Sequence, residues 1–218
     1  KEAGWIDSDG DNILDKEITE VDKKTGKSRT YRKQFDFTML CSNDPLRIAT
    51  CSLMKNSLDK LGIRCTVRPL EQTVLFTREM EHDFDAYFGG WGSGSDPDTS
   101  ENIWTTKAIN DGRNFVSYSN KFVDGLYQLG KFDPASRAAR QQVYDEFKLS
   151  EVGIAVDAPR NEIYAKIHEL IYLDQPTTFL YYRSAYFGFS KQLLGYHFSP
   201  RGPYHYSPGF NSIWKAVP

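Results

Sequence analysis

From Gly89 to Asp98 the chain reads Gly-Gly-Trp-Gly-Ser-Gly-Ser-Asp-Pro-Asp, a short stretch carrying several kinds of chemistry. Gly90, Gly92 and Gly94 let backbone N–H and C=O groups come close to a ligand. Trp91 offers a broad aromatic face with a polar tip. Ser93 and Ser95 add hydroxyls, and Asp96 and Asp98 add carboxylate acceptors. This set suits a ligand with its own amide backbone and a positive end. An extended peptide binds through main-chain hydrogen bonds, and a carboxylate facing an ammonium makes a short, charge-assisted bond. Asp96-Pro97-Asp98 has a plainer use as the cap of a turn.

Other chemistries fit poorly. Gly90-Trp91-Gly92 begins a dinucleotide fingerprint, but Ser95 fills its last glycine and two acids follow where a helix should receive a pyrophosphate. No Gly-Lys-Ser/Thr loop and no Gly-x-Ser-x-Gly elbow occurs. His82, His168, His197 and His205 are scattered, and His168 reads as a packed or half-exposed core residue. Asp96 and Asp98 are too close in the chain to define a glycosidase pair. No catalytic constellation and no metal-ligand set emerges, and no enzyme is expected. Cys41, Cys51 and Cys65 are an odd number without a C-x-x-C pair, which points to small core residues.

One stretch imitates a calcium loop. Asp7, Asp9, Asp11 and Asp15 fall at positions 1, 3, 5 and 9 of an EF-hand. Asn12 stands where the turn needs Gly, and Ile18 where a bidentate Glu is required. An acidic turn leading into a strand is the expectation; the alternative is a weak calcium site, and with it a calcium-dependent structural module.

The elements that must position the glycine loop follow from periodicity. Asp22 to Arg29 is a polar turn around Gly26 joining two strands, the second expected at Phe35–Cys41. Asp44-Pro45 starts a helix, with Leu46, Ala49, Leu53, Leu58 and Leu61 at helical spacing and Gly62 as its left-handed stop. Ile63–Arg68 is a strand, and Gln72–Glu81 a helix burying Leu75, Phe76 and Met80. Phe84–Phe88 is the strand that empties into the loop. This β-α-β-α-β order implies parallel pairing, and it places the loop at the carboxyl end of a strand, where open α/β sheets bind ligands. Beyond it, Phe115–Ser119 reads as extended. Helices are expected over Asn120–Leu129, Ala135–Leu149 and Pro159–Leu173, and Thr177–Phe189 as a strand, a bend and the start of another strand. The tail from Tyr196 to Trp214 has little periodicity and is expected to wrap the surface.

With 218 residues the chain can bury a core. A net charge of −2 advertises neither nucleic acid nor an anionic membrane, and no apolar run approaches the ~20 residues that span a bilayer. Aromatic residues reach 14%, including 13 Tyr, a composition suited to gripping ligands.

The order Gly89 to Trp104 resembles the solute-binding proteins of oligopeptide and dipeptide ABC importers, extracellular solute-binding protein family 5. Asn114-Phe115-Val116-Ser117-Tyr118-Ser119-Asn120 with Asp124, Phe132-Asp133-Pro134 with Arg137, and Asp174-Gln175-Pro176 ahead of Phe179-Leu180-Tyr181-Tyr182 resemble further segments of that family, as does the Gly4-Trp5 lead-in. The resemblance implies a periplasmic-binding-protein-like (type II) α/β lobe with a βαβαβ core, additional helices and C-terminal strands. Residues 1–34 would be a lead-in with an acidic turn and hairpin, and 35–218 the C-terminal lobe of a longer, two-lobed receptor. A helical insertion is expected at 138–159. The implied role is the substrate-binding component of a peptide ABC transporter, with this fragment as one wall of the cleft. It would be periplasmic or extracytoplasmic, lipid-anchored or not in the full-length protein, monomeric, and partnered by a peptide and a membrane permease. The resemblance also reaches receptors for sugars and nickel complexes. Many members carry an Asp three residues after this Trp to bind the peptide's amino terminus; here Gly94 stands there, so either Asp96 takes over or the ligand's end is read differently.

Overall fold

The computed structural model describes residues 2–92, 96–184, 186–196 and 209–215. The chain forms two compact units, Lys1–Pro176 and Thr177–Pro218.

The first unit begins with the acidic turn and an antiparallel hairpin, β1 (Asp15–Val21) and β2 (Ser28–Gln34). Asp22 closes the hairpin by accepting from the backbone N–H groups of Lys24 and Thr25, and Gly26 supplies a φ of 68°. The turn therefore leads into β2, and not into the strand at Phe35 as expected. β2 is almost wholly polar, so no hydrophobic alternation marks it. Cross-strand pairs hold it instead, with Thr19 and Thr30 hydroxyls 2.8 Å apart and Tyr31 donating to Glu20 at 2.7 Å.

The sheet that carries the loop follows the expected order. β3 (Asp36–Ser42), α1 (Pro45–Asp59), β4 (Arg64–Leu70), α2 (Gln72–Met80) and β5 (Ala86–Phe88) form a three-stranded parallel sheet in the order β4-β3-β5. Asp44 caps α1 through the N–H groups of Leu46 and Arg47, and Gly62 takes φ +75° just past its end. The core here is Met39, Cys41, Cys51, Cys65 and Phe88, so all three thiols are free and buried. The apolar stripes differ from expectation. α1 turns Cys51 inward with Ile48, Met54 and Leu58 beside it, and leaves Leu46, Leu53 and Leu61 exposed. α2 buries Leu75 and Glu79 while Phe76 and Met80 stay open. Both helices have weakly segregated sequences, so the sheet and not the pattern decides which face turns inward.

A helical layer follows: a 3-10 turn (Pro97–Ser100), α3 (Glu101–Trp104), α4 (Ala108–Asp111), α5 (Lys121–Lys131), α6 (Arg137–Glu146), a second 3-10 turn (Leu149–Val152) and α7 (Arg160–Asp174). Val123, Leu126 and Leu129 of α5 pack with Ile163, Ile167 and Ile171 of α7, as the spacing predicts. His168, expected to be packed or half-exposed, is exposed. Gly125 permits the close approach of Phe147, whose Cβ would lie 2.5 Å from a methyl at that position. Phe115–Ser119 is a turn and not a strand. The buried Asn114 side chain gathers it, donating to the carbonyls of Thr105 and Tyr118 and accepting from the Tyr118 N–H.

In the second unit Thr177–Phe189 makes no strand among the described residues; β6 (Leu193–Leu194) pairs antiparallel with β7 (Trp214–Lys215) instead. Tyr182 and Tyr186 are 92% and 93% exposed, and among the described residues no strand pairs with this β-prone run. Most of the tail expected to wrap the surface lies outside the described residues.

Candidate functional site

β5 ends at the buried Phe88, and the chain passes straight into Gly89-Gly90-Trp91-Gly92. Gly89, Gly90 and Gly92 are exposed, and no atom lies within 4 Å of where a side chain would start at Gly90 or Gly92. Bare backbone therefore faces outward at the carboxyl end of the parallel sheet. Ser93, Gly94 and Ser95 lie outside the described residues.

Trp91 is half-buried and held from three sides. Its indole N–H donates to the Arg113 carbonyl at 3.2 Å. Its ring stacks on Phe115 at 6.2 Å and tilts against Trp104 at 5.6 Å. Phe115 in turn meets Tyr87 edge-on at 6.3 Å, which links the sheet to the helical layer. Trp91 thus anchors the loop, and only its remaining face is open to a ligand.

The two acids are tied down from elsewhere in the chain. Asp96 caps the first 3-10 turn through the Asp98 N–H at 2.9 Å, so the turn-capping use of this segment is present. Arg160, at the first turn of α7, forks onto both oxygens of Asp96 at 2.6 and 3.2 Å and reaches Asp98 Oδ2 at 3.1 Å. Its hydrogen bond holds the Asp96 carboxyl below the usual carboxylate range, and the guanidinium also lies 4.8 Å over the Tyr164 ring. Two carboxylates share one arginine, leaving the cluster net negative, and Asp98 Oδ1 is buried with no hydrogen-bond partner. Sequence spacing gives no sign of this arrangement, because 64 residues separate Asp96 from Arg160.

A third acid lies beneath the loop. Glu79 is only 6% exposed, and its Oε1 would stand 3.2 Å from a methyl placed on Gly89. Burial raises its pKa, opposed by the positive charge of Arg47. The sequence does carry a signal here: Glu79 stands four residues after the buried Leu75, on the same helical face.

The family-like segments in the helical layer turn out to be ties between elements. Asn120 caps α5 through Phe122 and Val123, and its amide donates to Asp174 Oδ2 at 2.7 Å. The Tyr118 hydroxyl donates to the same oxygen at 2.7 Å, and Asp124 accepts from the Thr106 N–H and hydroxyl. These groups hold the layer against which Trp91 rests.

In the acidic turn Asp7, Asp9 and Asp15 each bring a carboxylate oxygen within 4.8 Å of the others. Each is engaged as an acceptor: Asp7 takes the N–H groups of Gly10 and Asn12, Asp9 that of Asp11, and Asp15 the N–H and hydroxyl of Ser8. Asp11 accepts from the Ile13 N–H and the Gln34 amide. These bonds, the Ser8 hydroxyl foremost, lower the pKa of the buried Asp15, with Arg32 adding its charge.

A polar hollow of about 310 Å³ is lined by Thr38, Arg68, Arg78, His82 and Asp85. Arg78 there pairs with Asp83, the Thr38 N–H with Asp85, and His82 with Ser117 and the Ile109 carbonyl. Its polar groups mostly serve one another. No described helix is long and apolar enough to cross a membrane.

Comparison with known proteins agrees with this architecture. Residues 1–112 match the model of the bacterial extracellular solute-binding proteins, family 5 Middle. The chain is 30% identical over 203 residues to the oligopeptide-binding protein AppA of Bacillus subtilis (strain 168), covering 92% of this chain and 31% of that protein. It superposes on the structure of B. subtilis AppA in complex with a nonapeptide with a TM-score of 0.69 and 28% identity, covering 99% of this chain and 36% of that one. NikZ from Campylobacter jejuni in complex with Ni(L-His) is similar at 22% identity and a TM-score of 0.49, over 72% of this chain and 28% of that one. The chain thus spans about a third of the length of these relatives. It belongs to the bacterial extracellular solute-binding proteins of family 5.

Proposed function

We propose that this chain is one wall of the peptide-binding cleft in the substrate-binding component of an ABC importer, and that it performs no catalysis. The observation that carries the reading is the open backbone of Gly90 and Gly92 at the carboxyl end of a parallel sheet. That is where α/β sheets receive ligands, and bare backbone is what an extended peptide pairs with. The likeness to an oligopeptide-binding protein over most of the chain supports the same ligand class. Asp96 and Asp98, already bound by Arg160, act in this reading as the fixed end of the loop.

The receptor works outside the cytoplasm and presents its peptide to a membrane permease. Incubating the receptor-length protein with a random peptide pool and identifying what co-purifies by mass spectrometry tests the reading. Peptides should be recovered; a sugar or a nickel complex in their place would overturn it. One wall supplies half of a clamp, so the isolated segment should bind the recovered peptides far more weakly than the whole receptor. Equal affinity would contradict the cleft.

A further inference from the structure

Strands of a parallel sheet are ordinarily apolar on both faces, because both are covered. One face of this sheet departs from that. Met39, Cys41 and Cys65 pack in the core, and side chains alternate along a strand. The opposite face therefore carries Thr38, Leu40, Arg68 and Leu70, and Asp85 joins them just before β5. Over it, Arg78 of α2 and the turn after that helix wall the hollow of about 310 Å³. Its charges divide into used and unused. Arg78 pairs with Asp83, and both ring nitrogens of His82 are engaged, by Ser117 and by the Ile109 carbonyl. Arg68 is exposed, and its side chain makes no ion pair or hydrogen bond among the described residues. Asp85 spends Oδ2 on the Thr38 N–H at 2.9 Å, and its Oδ1 has no described donor. The two cannot satisfy each other. β3 lies between their strands, with Arg68 in register with Leu40 and Asp85 bonded to Thr38. Two strand spacings, about 10 Å, separate them.

We propose that this hollow is a second ligand site, for a small zwitterion of amino-acid size whose carboxylate meets Arg68 and whose ammonium meets Asp85. A gap of about 10 Å holds two charge-assisted bonds of about 2.8 Å each with a short molecule between them. The volume stands at the lower end of the range for small-molecule sites, about 300–1,000 Å³, which suits one such molecule and not an extended chain. Guanidinium and carboxylate match as a fork. Leu40, Leu70 and Phe84 line the apolar part of the hollow and receive an aliphatic side chain. The site does not depend on the role of the glycine loop.

The test is isothermal titration of the receptor-length protein with L-leucine, L-leucinamide and N-acetyl-L-leucine. L-Leucine should bind the wild type. Leucinamide lacks the carboxylate and acetyl-leucine the ammonium, so each should bind about tenfold more weakly, as loss of one charged hydrogen bond predicts. Arg68→Gln should weaken leucine by a similar factor and leave leucinamide unchanged. Asp85→Asn keeps an acceptor for the Thr38 N–H; it should weaken leucine and leave acetyl-leucine unchanged. A merely structural role for either side chain would weaken all three ligands together, and that result would overturn the proposal. So would leucine binding that neither variant alters, or no binding of leucine by the wild type. Recovery of peptides from a random pool reads the glycine loop and not this hollow, so the two readings fail separately.

Discussion

The helical layer and the sheet layer of the first unit are built to different standards. In the helical layer fourteen buried apolar residues form one cluster, and its one buried arginine is fully engaged, while the Tyr164 hydroxyl and Asp98 Oδ1 are buried without a hydrogen-bond partner. Arg140, 2% exposed, reaches the carbonyls of Val156, Ala158 and Phe132 at 2.8, 2.7 and 3.2 Å, with Leu129 at 3.5 Å. In the sheet layer five buried residues, three of them cysteines, make up the cluster. Leu46 and Leu53 of α1 are 50% and 68% exposed, and Glu79, 6% exposed, has no hydrogen-bond donor among the described residues. Parallel sheets are normally covered on both faces. The helical layer is the more densely packed support, and the sheet layer, which carries the glycine loop, keeps more open apolar surface and a buried carboxyl.

The comparison breaks most easily at Arg140. Arg140→Ala would strand carbonyls at the end of α5 and in the 156–158 loop, each a buried acceptor costing about 1–3 kcal/mol when unpaired. Equilibrium denaturation should show a loss of roughly 3 kcal/mol or more. Leu53→Ser, on the exposed face of α1, should change stability by less than about 0.5 kcal/mol. Similar losses for the two would mean that the helical layer is no better satisfied than the sheet layer.

The sheet layer has its own sign. Burial raises the Glu79 pKa above its ordinary 4.5, so the fold favours the protonated form. The resulting cost to stability is absent at pH values below 4.5, grows as pH rises through the raised value, and is complete above it. Glu79→Gln should therefore gain stability relative to wild type between pH 4 and pH 7, measured by thermal melts at both (about one ordinary carboxylate titration apart). A constant difference across that range would show that Glu79 has a partner.

How much of this was legible beforehand follows the same division. The βαβαβ order, the Asp44 cap and the α5 and α7 stripes could be read directly, because each is a local pattern that packing then respects. The inward faces of α1 and α2 could not, since their sequences leave the choice of face to the sheet. The glycine loop was legible as a strand-end loop from its composition. The Arg160 clamp was not, because it joins positions that only the tertiary fold brings together. Thr177–Phe189 misled for the opposite reason: its β propensity is real, but no strand pairs with it among the described residues.

The buried cysteines allow the two layers to be followed separately. All three belong to the sheet cluster, and burial pushes the Cys51 thiol up to about 12, with Cys41 adding to the effect. Neither Cys51 nor its neighbours should react with a thiol reagent in the native state. Trp104 belongs to the helical cluster. In rising urea, thiol labelling should appear before the fluorescence change of Trp104, followed in a variant with the other tryptophans replaced by Phe. Coincident transitions would mean that the layers open as one cooperative unit.

The smallest expected effect lies at the seam between the layers. Arg160 binds Asp96 at the surface, where both side chains remain about half exposed and salt screens the pair, so its contribution to stability is small. The direction is still fixed. Because Arg160 holds the Asp96 carboxyl below its ordinary 3.8, the stabilisation is present above that value and is lost as pH falls through the lowered one. Arg160→Gln should flatten that acid limb and change little at neutral pH, and added salt should shrink the difference between variant and wild type. If the variant instead loses stability equally at all pH values, the role of Arg160 is its packing on Tyr164, and the two acids would be free to meet a ligand.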